Sequence, residues 1–192
     1  MANKPLVGTF GSGDLSTPSP PLVGILMGSD SDLSVMQEAA KALDEFGIGS
    51  EVHVLSAHRT PEAVVEYVQK SEAARYKVFI CGAGGAAHLA GVVAAHTALP
   101  VIGVPVMTKT AAGVDALFST AQMPPGVPVA TVAINGAKNA GILAAQIIGA
   151  GDESVRAKVT AYKKKMSGDI LAKDQKLQEK GFKKYLEEGG LL

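Results

Sequence analysis

From residue 21 onward the chain alternates short apolar runs with stretches of helical periodicity, and that alternation admits very few folds. Leu22 to Met27 reads as a continuous apolar strand, after which Leu33, Met36, Ala40, Leu43 and Phe46 recur at helical spacing up to Gly47. A second strand is expected over residues 51–55, leading into a helix from Pro61 that carries Val64, Val65 and Val68 on one face and ends near Tyr76. Strands three to five are expected at residues 77–81, 101–106 and 127–134. Between them come a small-residue helix around residues 86–97, a shorter one around 113–121 and an Ala-rich one over 139–148. Such repetition builds a parallel sheet covered by helices on both faces. Right-handed crossovers favour the doubly wound order 2-1-3-4-5, with strand one between strands two and three. The gap beside strand one is then the switch point at which open α/β sheets bind ligands.

Three turns leave the sheet at that edge. The first is Gly28-Ser29-Asp30-Ser31-Asp32, the second Ser56-Ala57-His58-Arg59, and the third Gly82-Ala83-Gly84-Gly85-Ala86-Ala87-His88-Leu89. The first offers hydroxyls and backbone N–H groups at a helix start, which suits a phosphate. Asp30 and Asp32 would repel that phosphate if they faced it, so at least one is expected to accept hydrogen bonds from sugar hydroxyls or to cap the helix. Phosphate plus ribose means a nucleotide-like ligand, whose charge Arg59 can neutralise with a forked donor pair. In the second turn Thr60-Pro61-Glu62 predicts a helix start with Thr60 as N-cap. That start holds His58 at the pocket mouth, and an imidazole is the side chain most easily tuned for proton transfer near neutral pH. The third turn, GAGGAAHL, is nearly free of side chains and lets the backbone approach a flat ligand closely.

Other features narrow the functional classes. The 192 residues suit one domain, and 18 basic residues balance 18 acidic ones, so no global field would draw nucleic acid or an anionic membrane. The lone Cys81 ends an apolar strand and reads as a small buried hydrophobe, while the absence of CxxC and HExxH patterns gives a metal site little support. His53 and His96 make no convincing partners for a metal or a triad. No signal-peptide pattern or membrane-length apolar run is present, so a cytoplasmic protein is expected. Residues 1–20, rich in Gly, Ser, Thr and Pro, read as a flexible tail. It holds a partial echo of the first turn in Gly11-Ser12-Gly13-Asp14, which runs into Thr17-Pro18 rather than into a helix.

The stretches MGSDSD (27–32), SAHRTPE (56–62), GAGGAAHL (82–89), GVP (103–105), AGVDALFS (112–119), QMPPGVPVATVAI (122–134) and NAGILAAQI (139–147) together resemble the PurE family, the N5-carboxyaminoimidazole ribonucleotide mutases of purine biosynthesis. The resemblance covers roughly residues 21–150. It implies a flavodoxin-like, three-layer α/β/α subunit, a homo-octamer, and no metal or organic cofactor. The implied reaction moves a carboxylate from the exocyclic nitrogen of an aminoimidazole ribonucleotide to ring carbon 4, with His58 as catalytic proton shuttle. Ser29, Ser31, Ser56 and Arg59 fall on the family's phosphate positions and Asp32 on its ribose position. Gly84, Gly85 and Ala86 would line the ring and carboxylate pocket with His88 nearby, and Gly28, Ala57 and Leu89 complete the substrate-binding set.

Met107-Thr108-Lys109, His96 and the join 135–139 depart from short bacterial members. The join and the charged tail look more like the domain fused to the ATP-dependent carboxylase partner in fungal and plant enzymes, which implies functional coupling to a carboxyaminoimidazole ribonucleotide synthase. Direct carboxylation, as in animal-type enzymes, fits GAGGAAHL less well. A non-catalytic flavin module fits poorly too, since Trp is absent and aromatic residues make up only 5% of the chain. Residues 151–192 are expected to form a helical arm in which Val155, Val159, Tyr162, Met166 and Ile170 make a narrow apolar stripe. With no obvious home in its own subunit, that stripe is expected to pack on neighbouring subunits, with a helix break near Ser167-Gly168.

Overall fold

A computed structural model describes residues 22–189. Five strands, β1 (Val23–Met27), β2 (Ser50–Val54), β3 (Val78–Gly84), β4 (Val101–Val106) and β5 (Ala130–Thr131), form one sheet in the order β2-β1-β3-β4-β5. Every neighbouring pair is parallel, as the flavodoxin-like reading requires. The register pairs Met27 with Val54 on one side and with Gly82 on the other, so β1 and β2 end level with one another and β3 runs two residues further along the same edge.

Burial follows position in the sheet. β1 and β4 are buried at every residue because helices cover both their faces, whereas β2, at the edge, is only half-buried. On β1 the period of two sends Val23, Ile25 and Met27 to one face and Leu26 to the other. The first face packs against α1 (Leu33–Glu45) and α5 (Ala137–Gly149), through Met36, Leu43, Ala140 and Ala144. The second packs against α2 (Pro61–Ala73) and α3 (Leu89–Ala95), through Val64, Val68, Ala90 and Val93. Gly24 is a glycine because a Cβ there would come within 2.8 Å of the Phe79 ring. α4 (Val114–Ala121) follows β4.

Four expectations need correction. Strand five, expected over residues 127–134, pairs only at Ala130–Thr131. Pro128 has no N–H to give to a ladder, and a turn closed by the Gly136 N–H on the Ala133 carbonyl ends the run. Thr60 precedes α2 but makes no cap: its hydroxyl accepts from the Ser56 N–H at 2.9 Å and donates to the Ser56 carbonyl at 3.2 Å. The expected break at Ser167-Gly168 is absent. α6 (Glu153–Lys180) runs through it and stops at Gly181, whose φ of +74° suits glycine, before α7 (Phe182–Gly189). One interior glycine costs a helix about 1 kcal/mol, which the long helix-forming flanks of α6 outweigh.

The apolar stripe of α6 also divides. Val155 and Val159 are buried in the subunit's own core, and Tyr162 packs edge-on against Phe46 at 5.4 Å between ring centroids. Lys158 Nζ donates to the Phe46 carbonyl at 2.8 Å, and Asp152 caps the helix by accepting from the Ser154 and Val155 N–H groups. Only the later part of the stripe, Met166 and Ile170, is left exposed. The reading of residues 1–20 as a tail lies outside the described residues. Among the described residues no helix is long and apolar enough to cross a membrane.

Candidate active site

The carboxyl ends of the adjacent strands β1, β2 and β3 lie along one edge of the sheet and determine where the three motif-bearing turns go. The Leu55 N–H donates to the Met27 carbonyl at 2.9 Å and the Gly28 N–H to the Gly82 carbonyl at 3.3 Å, so the first turn is held between the other two. It becomes a single 3-10 turn, Asp30–Asp32, that continues into α1. Ser29 is its N-cap: Ser29 Oγ accepts from the Ser31 N–H at 3.3 Å and from the Ser31 hydroxyl at 2.9 Å.

The second turn is tied to itself through Ser56. Ser56 Oγ accepts from the N–H groups of His58 and Arg59 and from Arg59 Nε, at 3.2–3.4 Å, which leaves its own hydroxyl hydrogen free to donate. The Arg59 guanidinium also donates to the Gly28 carbonyl, so the one permanently cationic group of the site bridges the first and second turns.

The third turn begins as strand. β3 runs through Gly84, where Ile80 pairs with Ile102 and Gly84 with Val106, beyond the end expected at Cys81. Gly85, at φ +63°, then bends the chain, and α3 starts only at Leu89. His88 is thereby the N-cap residue of α3 rather than a residue within it, and its side chain makes no cap hydrogen bond. It reaches His58 instead: His58 Nε2 lies 2.8 Å from His88 Nδ1, with the rings nearly perpendicular at 85°. One hydrogen occupies that contact, so one nitrogen donates, the other accepts, and the two tautomers are linked.

The three turns enclose a cavity of about 400 Å³, within the range of small-ligand sites. Gly28, Ser29, Ser31, Asp32, Ser56, Ala57, His58, Arg59, Gly84 and Leu89 line it. Gly85 and Ala86 do not line it, and His88 meets the site through His58. Sequence reasoning missed Ala83 and Thr108, which also line the cavity. The parallel register signals both, since β4 lies beside β3 and its extension passes the same edge.

Burial pushes the Asp32 carboxyl above its ordinary range, opposed by hydrogen bonds from Ser31 and Ser29 and by the charge of Arg59. A half-buried carboxylate that accepts from the Ser31 hydroxyl at 3.3 Å suits sugar hydroxyls better than an anion. Cys81 is fully buried in the β3 strand, and burial pushes its thiol far up, so it offers no nucleophile. His53 lies on the outer edge strand against Tyr67 and 3.5 Å from Glu51, away from the cavity, and His96 is the C-terminal cap of α3. Among the described residues no group of His, Cys, Asp or Glu side chains is arranged to hold a metal ion.

Comparison with known proteins agrees with this geometry. A family model described as AIR carboxylase matches residues 22–169. A Thermotoga maritima protein named N5-carboxyaminoimidazole ribonucleotide mutase is 57% identical over 168 residues, covering 88% of this chain and 98% of that one. A Schizosaccharomyces pombe phosphoribosylaminoimidazole carboxylase is 53% identical over 165 residues, 86% of this chain but only 30% of that protein. The crystal structure of Treponema denticola PurE superposes with a TM-score of 0.76 at 36% identity, over 82% of this chain and 98% of that one. On a matched sheet order, a match spanning all three turns and this degree of identity, the chain belongs to the AIR carboxylase family, that of PurE.

Proposed function

We propose that this chain is the mutase of purine biosynthesis that converts N5-carboxyaminoimidazole ribonucleotide into 4-carboxyaminoimidazole ribonucleotide. The observation that carries the proposal is that His58, paired with His88 at 2.8 Å, lines the same cavity as Ser29, Ser31, Ser56 and Arg59. In this reading the cradle takes the 5′-phosphate, Asp32 the ribose hydroxyls, and the Gly84 backbone approaches the heterocycle.

The chemistry asks little of the protein beyond position. The N–C bond of the carbamate breaks, carbon dioxide leaves, and the exocyclic nitrogen takes a proton from His58. Ring carbon 4 then attacks the trapped carbon dioxide, a new C–C bond forms, and the proton on carbon 4 returns to His58. One proton is given and one recovered, so a single imidazole balances the sequence. Holding carbon dioxide against the ring while excluding water is catalysis by proximity and desolvation.

The same reading places the enzyme in the cytoplasm and assembles it as a homo-octamer. Support for assembly comes from apolar side chains left exposed on the arm, residues 151–192, where Met166, Ile170, Leu171 and Phe182 are 47–66% exposed. Coupling to a carboxyaminoimidazole ribonucleotide synthase is supported by the fungal relative, of which this chain spans under a third. The test is an assay of the purified chain with each substrate: N5-carboxyaminoimidazole ribonucleotide should turn over readily. Efficient use of aminoimidazole ribonucleotide with ordinary bicarbonate would point to direct carboxylation instead, and turnover of neither would sink the reading.

A further inference from the structure

The cavity has a wall that the three motifs do not supply. Thr108 stands just beyond the end of β4 and lines the cavity, and its Oγ1 is buried with no hydrogen-bond partner. A buried hydroxyl without a partner is costly, and most such groups in folded proteins are satisfied. Thr131 Oγ1 shares the deficiency, but Thr131 does not line the cavity. Thr108 is also held in place. The N–H of its neighbour Met107 donates to Asn135 Oδ1 at 2.9 Å, while the Asn135 N–H donates to the Pro105 carbonyl at 2.8 Å. Asn135 itself adopts φ +56°, a conformation that asparagine tolerates better than most residues. Thr108 leans over Gly84, where a Cβ would come within 2.7 Å of Thr108 Cγ2 and 3.1 Å of the Val106 carbonyl.

We infer that Thr108 is a substrate-positioning residue whose hydroxyl donates to the carboxylate carried by the heterocycle. The inference rests on the mutase reading above. Neighbouring strands are spaced about 4.8 Å apart, so β4 lies about 10 Å across the sheet from the first turn that forms the phosphate cradle. A nucleotide anchored at Ser29 and Arg59 lays its ring over Gly84 on β3, and the substituted edge of the ring then faces Thr108. A step of about 120° between staggered χ1 wells carries Oγ1 to the position Cγ2 now holds and turns the hydroxyl into the cavity without backbone movement. The bound carboxylate supplies the missing partner, and a hydrogen bond to a charged acceptor is of the stronger kind.

Thr108→Val keeps the shape and removes the hydroxyl, and Thr108→Ser keeps the hydroxyl. Calorimetric titration should be run on both variants and the wild type with aminoimidazole ribonucleotide and with its 4-carboxylated form. The valine variant should lose about tenfold to a hundredfold in affinity for the carboxylated nucleotide and keep wild-type affinity for the uncarboxylated one, with serine restoring the difference. Its unliganded form should melt at or above the wild-type temperature, since the unsatisfied hydroxyl is gone. Equal loss for both nucleotides, or loss for neither, overturns the assignment. A wild-type protein that binds neither nucleotide overturns the mutase reading itself, and the assignment with it.

Discussion

His58 and His88, thirty positions apart in sequence, meet through Nε2 and Nδ1 at 2.8 Å because the parallel strands β2 and β3, on either side of β1, send their following turns to one edge of the sheet. Neither strand nor helix supplies the contact directly. His58 sits on a turn whose backbone is fixed by Ser56, and His88 on a turn bent at Gly85 and pinned from α4 by the Ser119 hydroxyl, which donates to the Gly85 carbonyl at 3.5 Å. The pair is therefore held by two hydrogen-bonded turns, which suits the proposed proton transfer at a defined atom.

On the proposed mechanism, replacing His58 should stop the chemistry and leave the cradle intact. His58→Asn is expected to lower turnover by at least about a hundredfold, the range in which general acid–base groups contribute. Nucleotide affinity should change little, because Ser29, Ser31 and Arg59 are untouched. Steady-state kinetics together with equilibrium binding of the product nucleotide read the two effects separately. Normal turnover in that variant would remove His58 from the mechanism.

On the same proposal His88, in contact with His58, acts through it, so its replacement should give a different pattern. His88→Phe keeps a flat ring and loses the nitrogen that fixes the tautomer of His58. We expect kcat to fall about tenfold to a hundredfold with KM nearly unchanged, and the pH–rate profile to move. A purely structural role for His88 would lower the melting temperature and leave that profile where it was.

Asp32 predicts a conflict between stability and binding. Burial raises its carboxyl above the ordinary 3.8, so the folded state holds that proton more tightly than the unfolded chain does. The stabilising contribution is complete below pH 3.8 and is lost as pH rises through the raised folded value, leaving a half-buried carboxylate that costs stability at neutral pH. Asp32→Asn should therefore melt higher than wild type at pH 7, with the gap closing toward pH 3.8 and below. Nucleotide affinity should fall in the same variant. A lower melting temperature at pH 7 would show that the carboxylate is better paired than its surroundings indicate.

The parts of this molecule legible in its sequence are those set by local pattern. Continuous apolar runs identified the buried strands, and Gly, Ser and Pro at their ends marked the turns that surround the cavity. What sequence could not show were relationships between distant residues. Strand ladders decided that β3 would extend to Gly84 and that β5 would shrink to two residues, because pairing depends on the neighbouring strand as well as on the run itself. Thr108 entered the cavity through strand order alone, and Thr60 abandoned its cap for the Ser56 backbone. The close contact of α1 with α5, where a Cβ on Gly141 would come within 2.6 Å of the Ala39 carbonyl, likewise leaves no local mark.

Gly168 tests both the continuity of α6 and what surrounds it. It lies inside a helix that continues for more than ten residues on either side, and a Cβ there would meet nothing within 4 Å in the subunit. Glycine costs a helix interior roughly 0.5–1 kcal/mol relative to alanine through backbone entropy. Gly168→Ala should therefore stabilise the arm by about that amount, which for a chain of this size is an increase of about 1–4 °C in melting temperature. Amide hydrogen exchange should slow around residue 168 and stay unchanged in the sheet. If another subunit packs directly on that face, the added methyl would meet it, and the same substitution would lower the melting temperature and shift the oligomer toward smaller species in light scattering. The sign of one small change thus separates a solvated helix from one pressed against a neighbour.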